Sequence, residues 1–320
     1  MRYLSGIQPS GVLHLGNYFG AIRQHIASQD DNECYYFIAS YHALTSLRDA
    51  EALRENVRNV ALDYLALGLD PEKVAFFRQS DVPGVTELTW LLSTVTPMGL
   101  LMRCHGYKDK VDKGMDADHG LFAYPVLMAS DILIYDSNKV PVGRDQVQHI
   151  EVTRDVAQRF NHIYGETFVI PEYQLEESAE KVPGTDGEKM SKSYGNTLEI
   201  FAPEKVLKKK IAGIVTDSKS VEEPKDPESN TIFQLYCLVG TSEEVSVMAD
   251  RFRQGGYGYG EAKKELLRKI LEYFEPYRKK REELAKDPER VEAILQDGAR
   301  KARETASKTL QRARRAVGLE

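Results

Sequence analysis

Cysteine is scarce: Cys34, Cys104 and Cys237 are the three in 320 residues. They are too few and too scattered for a disulfide framework or a CxxC metal site, so a reducing compartment is expected and zinc is not. No apolar run approaches the roughly 18 residues of a membrane span, and no repeat or low-complexity tract interrupts the chain. No leader is expected either, because the opening residues run straight into a strand–turn–helix pattern. The run Gly255-Gly256-Tyr257-Gly258-Tyr259-Gly260 lacks the preceding strand that a phosphate loop needs and reads as an inter-helix turn. What is present, 42% hydrophobic and 29% charged residues, excludes a disordered or collagen-like chain. The expectation is a globular, cytoplasmic protein of one large domain or two ordinary ones.

The formal net charge of −6 is unevenly spread. Residues 1–200 carry 18 Lys+Arg against 28 Asp+Glu, a net −10, whereas residues 201–320 carry 25 against 21, a net +4. A basic rear half is compatible with a polyanion bound at that end, although solvated Lys/Arg/Glu helices would give the same arithmetic.

Strands are expected at Arg2–Ile7, Cys34–Ala39, Val74–Arg78 and Val140–Val142. Helices are expected from Leu15 to about Gln24, Glu51–Leu67, Glu87–Val95, Pro125–Tyr135 and Asp145–Phe160. This alternation predicts an α/β fold with a doubly wound parallel sheet and ligands at the carboxyl ends of its strands. His105 to Gly120 reads as a mobile connection. After Pro183 the pattern is helical throughout, over Pro203–Ile214, Thr231–Leu238, Glu243–Phe252, Glu261–Leu284 and Pro288–Val317. The expected division is therefore a Rossmann-type domain at 1–195 and an all-helical module at 196–320.

Two segments carry chemistry. Gln8-Pro9-Ser10-Gly11-Val12-Leu13-His14-Leu15-Gly16-Asn17 falls where the first strand hands over to a helix. Unpaired backbone N–H groups and the helix dipole make such a turn an anion site. Gly11 and Gly16 permit close approach, and His14 adds a donor. The second segment, Lys189-Met190-Ser191-Lys192-Ser193, follows the flexible cluster Gly184-Thr185-Asp186-Gly187. Two lysines three apart with hydroxyls between them can reach one polyphosphate.

Together, the HIGH-like His14-Leu15-Gly16-Asn17 and the KMSKS run resemble the paired signatures of class I aminoacyl-tRNA synthetases. The compact length and Val142-Gly143-Arg144-Asp145-Gln146 with His149 resemble the tryptophanyl/tyrosyl branch, and the resemblance covers nearly the whole chain. Within that branch the helix beginning at Tyr124-Pro125 discriminates. It is nearly all apolar, so Asp131 is expected to be buried, and a buried carboxylate needs a partner. Met128 lies three residues before Asp131 on the same face, with Tyr124 one turn earlier. An indole offers one N–H for that carboxylate and a large ring for the methionine. A phenol-reading site needs polar groups around the hydroxyl, and tyrosyl enzymes carry Gln where this chain has Met128. The alternative for Asp131 is a structural acid already satisfied by protein groups.

The resemblance implies an ATP-dependent ligase that activates tryptophan and charges tRNA(Trp). It implies ATP contacts at Gln8, Pro9, Ser10, Gly16 and Asn17. The same holds for Gly143, Arg144 and Asp145, for Val182 against adenine, and for Lys189, Met190, Ser191, Lys192 and Ser193. His14, Lys110, Lys189 and Lys192 would serve catalysis. Asp131, Met128, Tyr124 and Gln146 would hold L-tryptophan. It implies a homodimer, tRNA on the basic helical tail, and Mg²⁺ carried by ATP with no protein ligands. Some relatives bear a cluster-binding cysteine set near the C-terminus; Cys237 stands alone, so no iron–sulfur cluster is expected. Two positions depart from the family. Leu4 stands where many relatives have an aromatic residue, and Ser40-Tyr41-His42-Ala43 replaces Asp-x-His-Ala, so Ser40 is given no role and His42 a structural one. Tyrosine specificity, or a synthetase-like paralogue without catalysis, are the competing readings; a dinucleotide oxidoreductase is disfavoured by the missing GxGxxG.

Overall fold

A computed structural model describes residues 1–112, 114, 118–175 and 182–320 of the chain; the side chains of Gly106, Asp109, Lys110, Val111 and Asp145 lie outside that description. Five strands form one sheet: β1 (Arg2–Ile7), β2 (Glu33–Ile38), β3 (Val74–Arg78), β4 (Lys139–Val142) and β5 (Glu172–Leu175). Their order is β3-β2-β1-β4-β5, and every pairing is parallel. Ile7 lies opposite Ile38, and Ile38 opposite Arg78, so the carboxyl ends of β1, β2 and β3 share one edge. The order reverses between β1 and β4, and loops leaving strands beside such a switch point are where α/β sheets bind ligands.

The β2 run Cys34–Ile38 and the β3 run Val74–Phe77 are buried without alternation, as strands covered on both faces must be. Leu4, Tyr35, Phe37 and Phe77 join one core with residues of the helices Gly84–Ser93, His119–Leu133, Val147–Tyr164 and Pro288–Ala316. On the other face the helix Ala50–Leu67 stacks Tyr64 on Phe76. The Asp49 carboxylate caps that helix by accepting from the Glu51 and Ala52 N–H groups, and Gly68 ends it at φ 115°, a conformation glycine adopts without penalty.

Packing divides the chain into two units. One comprises Met1–Gly11, His25–Glu176 and Asp287–Glu320; the other comprises Val12–Gln24 and Glu177–Lys286. The expected division at residue 195 does not coincide with this one. The helix Pro288–Ala316 carries a stripe of small residues, with Ala299, Ala302, Ala306, Thr309 and Ala313 all buried. That stripe lets it lie directly on β3 within the sheet's unit. Conversely, residues 12–24 leave the sheet's unit for the second.

In the second unit Tyr18 and Phe19 pack edge-on against Phe274 of the long helix Tyr259–Ala285. The helix expected from Leu15 begins there but turns to a π-helix over Tyr18–Ile22 before Arg23–Ser28. Two further differences concern the first unit. The described part of His105–Gly120 contains the helix His105–Asp112. β5 was not expected, because its four residues Glu172–Leu175 are all exposed and lack a hydrophobic run. No helix among the described residues is long and apolar enough to cross a membrane.

Candidate active site

In the first unit the helix His119–Leu133 places Asp131 where 1% of its surface is exposed. The carboxylate is not alone, as the sequence had implied it would be. Gln79, immediately after β3, donates from Nε2 to Oδ1 at 2.8 Å and to Oδ2 at 2.9 Å. His42, in the short helix Ser40–Ala43 after β2, places Nε2 2.7 Å from Oδ2. The Gln79 amide orientation is fixed by its other end, since Oε1 accepts the Tyr41 N–H at 2.9 Å. Burial pushes the Asp131 pKa up, and the bonds from His42 and Gln79 pull it down, with a net rise. A carboxylate has about four acceptor positions; among the described residues these contacts use three and leave one on Oδ1.

Met128 is half-buried against the same core. Tyr124 sets its hydroxyl 2.5 Å from His149 Nε2, and its ring meets His42 edge-on at 6.3 Å. Burial pushes its phenol up to about 12. Gln146 is half-buried and precedes the helix Val147–Tyr164, its N–H bonded to the Gly143 carbonyl at 3.0 Å. Gly143 and Arg144 follow β4, as Gln8, Pro9 and Ser10 follow β1, so both loops leave the strands that flank the switch point. Gln8, Ser10 and Arg144 are exposed and Pro9 is buried. The expected roles of Lys110 and Asp145 rest on side chains outside the described residues.

The second unit holds both signatures. The Leu15 N–H donates to the Leu198 carbonyl at 2.9 Å and the Ile200 N–H to the Leu13 carbonyl at 3.1 Å, which fixes His14 opposite Glu199. Asn17 accepts the His14 N–H through Oδ1 at 3.0 Å, so this part of the residue expected at ATP is spent on the turn. His14 is buried, and among the described residues its Nδ1 has no hydrogen-bond partner. Burial, then the nearby charge of Lys192, lowers its pKa to about 4, so the imidazole is neutral at physiological pH. A Cβ on Gly16 would stand 3.0 Å from that Nδ1 and 3.4 Å from the Met190 Cβ. Glycine is what lets the turn pass between them.

The KMSKS run forms the outgoing arm of a hairpin in which Met190 N–H bonds the Val182 carbonyl at 2.9 Å and Pro183 faces Lys189. Met190 and Val182 are buried; Lys189, Lys192 and Ser193 are exposed, and Ser191 is half-buried. The buried Asn196 closes the hairpin. Its Oδ1 accepts the Ser191 N–H at 2.8 Å, while Nδ2 donates to Asp186 Oδ1 at 2.8 Å and to the Lys189 carbonyl at 3.2 Å. Gly184 passes so close that a Cβ there would stand 2.2 Å from the Asn196 amide. Val182, Lys189 and Phe233 line a cavity of ≈ 570 Å³ beside the hairpin.

Sequence reasoning missed Gln79, His42 and Asn196 as members of these networks. Gln79 and His42 carried little signal beyond their place: Gln79 directly follows β3, and His42 lies in the short helix after β2. Asn196 carried none beyond its place after the KMSKS run.

A doubly wound parallel sheet, with its first strand-to-helix turn strapped to a later KMSKS hairpin, is the architecture of class I aminoacyl-tRNA synthetases. A family model for the class I tRNA synthetases (W and Y) matches residues 1–275. The tryptophan–tRNA ligase of Rhodopirellula baltica is 60% identical over 319 residues, covering 100% of both chains. That of Fusobacterium nucleatum is 55% identical, covering 99% of this chain and 98% of its own. A crystal structure of tryptophanyl-tRNA synthetase from Campylobacter jejuni complexed with ADP and tryptophan has a TM-score of 0.96 at 49% identity, covering 99% of this chain and 100% of its own. The chain belongs to the W and Y family of class I tRNA synthetases.

Proposed function

We propose that the protein is an ATP-dependent tryptophan–tRNA ligase, and the observation that carries this reading is the buried Asp131 carboxylate with one acceptor position left. An indole N–H is a single donor on an apolar ring, matching one open acceptor beside the half-buried Met128. Nothing in that pair offers the polar surround a phenol hydroxyl requires. The names borne by the relatives at 60% and 55% identity support the same choice.

In the first step the tryptophan carboxylate attacks the ATP α-phosphate, forming tryptophanyl-adenylate and releasing pyrophosphate. The second transfers tryptophan to the terminal ribose of tRNA(Trp). No protein nucleophile is needed for activation, because the substrate carboxylate is one; the chain positions reactants and stabilises charge. Lys189 and Lys192 reach the phosphates from the hairpin, and neutral His14 offers a hydrogen bond without adding charge. Gln8, Pro9, Ser10, Gly16, Asn17, Gly143, Arg144, Asp145, Val182, Met190, Ser191 and Ser193 would complete the ATP contacts. Tyr124 and Gln146 would hold the tryptophan ammonium, and Lys110 would assist at phosphate. Among the described residues no group of three or more His, Cys, Asp and Glu is placed to hold a metal. We place Mg²⁺ on the triphosphate because this ion keeps waters and phosphate oxygens as ligands, and there it would neutralise phosphate charge. A homodimer acting in the cytoplasm completes the proposal, with tRNA received on the basic helices of residues 201–320.

The test is ATP–pyrophosphate exchange with each of the twenty amino acids in turn. Tryptophan should support exchange at least a hundred-fold above tyrosine, in line with about 10⁴–10⁵ for sites built around a required polar contact. Tyrosine-dependent exchange, or none with any amino acid, overturns the reading.

A further inference from the structure

We propose that Gln79 is a positioning residue for amino-acid selection, holding the Asp131 carboxylate ionised and turned so that its remaining Oδ1 position meets the ligand's N–H. This rests on the reading above, in which Asp131 receives that N–H. The argument is geometric. Gln79 is 1% exposed, and its amide is clamped at both ends. The Tyr41 backbone N–H can only donate, so Oε1 must face it and Nε2 must face Asp131. Nε2 then lies 2.8 and 2.9 Å from the two carboxylate oxygens. That arrangement favours a charged carboxylate symmetrically and would oppose a proton on either oxygen. It also fixes the plane of the carboxylate, which His42 alone, at one oxygen, would leave free to rotate.

The groups bonded to Asp131 come from the segments after β2 and β3, and the titratable groups His149 and Glu87 of the neighbouring helices are engaged elsewhere. His42 bonds it from the segment after β2, and Gln79 from the segment after β3, without charge. Tyr135, just beyond Asp131's own helix, feels its charge and stacks on Tyr35 of β2. On the helix Val147–Tyr164, His149 is engaged by Tyr124. On the helix Gly84–Ser93, Glu87 is paired with Arg314. Gln79 is thus the neutral donor that meets both oxygens, and removing it should leave burial to push the proton on.

Two substitutions in the full-length chain should shift the tryptophan KM in opposite directions with pH. Gln79→Met keeps length and removes both bonds. The tryptophan KM of pyrophosphate exchange should rise roughly ten-fold or more, as expected for loss of a hydrogen bond to a charged group, and should worsen as pH falls from 8 to 6. Gln79→Glu sets two carboxylates together, which share one proton. Its KM should stay near wild type at acid pH and worsen as pH rises. In both, the ATP KM should remain within about two-fold of wild type. Wild-type KM and pH profiles in both variants, or slopes of the same sign, overturn the proposal. A loss of folding in Gln79→Met leaves the Gln79→Glu slope to decide. Asp131→Asn separates this inference from its premise. An unchanged tryptophan KM in Asp131→Asn removes the premise, whereas a raised KM there with unaltered Gln79 variants removes only the role of Gln79.

Discussion

Gly298 lies against the backbone of Phe76: a Cβ at position 298 would stand 2.0 Å from the Phe76 carbonyl oxygen and 2.8 Å from its nitrogen. Both contacts are to a buried strand, which has no freedom to yield. Gly298→Ala should therefore lift the helix Pro288–Ala316 from β3 and lower stability by about 1–3 kcal/mol. Thermal denaturation reads this directly, and an unchanged midpoint would mean the helix can shift along its alanine stripe at no cost.

The KMSKS hairpin depends on one buried amide. Asn196→Ala removes bonds to the Ser191 N–H, the Asp186 carboxylate and the Lys189 carbonyl, each part-buried and worth about 0.5–1.5 kcal/mol. The ATP KM should rise with the tryptophan KM unaffected. A rise in both would show that the hairpin influences amino-acid binding as well.

Lys192→Ala should slow pyrophosphate exchange by roughly 10²–10³, the loss typical of one donor that acts on developing charge. Near wild-type exchange would remove Lys192 from the reaction. The exposed Lys189, tested in the same way, shows whether the two ammonium groups act together or singly.

His14 gives a pH dependence whose sign is fixed. Its folded pKa of about 4 lies below the ordinary 6.5. Below about pH 6.5 the unfolded chain takes up a proton that the folded turn refuses. Stability contributed by this site is present above that value and is lost as pH falls toward 4. The thermal midpoint of the wild type should drop more steeply over this window than that of His14→Asn, whereas parallel curves would contradict burial of the neutral ring. Exchange activity should show no inflection from His14 between pH 6 and 8.

Much of the fold was legible because its signals are local. Val74–Arg78 reads as a strand from five residues, and Glu51–Leu67 as a helix that ends before Gly68. β5 was not legible, since Glu172–Leu175 has no apolar pattern and owes its conformation to pairing with β4. The packing units differ from the division expected at residue 195 because the grouping of residues 12–24 and 287–320 is decided by partners far away in sequence. The burial of Asp131 was legible from its apolar helix. Gln79 escaped because a glutamine after a strand is unremarkable until its two clamps are seen. The same long-range cause explains why Asp131 was expected alone: His42 and Gln79 are 89 and 52 residues away.

The helix that covers β3 lies far beyond that strand in the chain, and the turn bearing His14 belongs with residues beyond 176. A chain emerging from the ribosome therefore holds an uncovered strand surface until Pro288–Ala316 has been made, and an unanchored first signature until Leu198 and Ile200 have. Neither unit is one continuous stretch, so neither is completed by a single run of residues as it emerges, and the strand waits longer for its cover than the signature for its anchor.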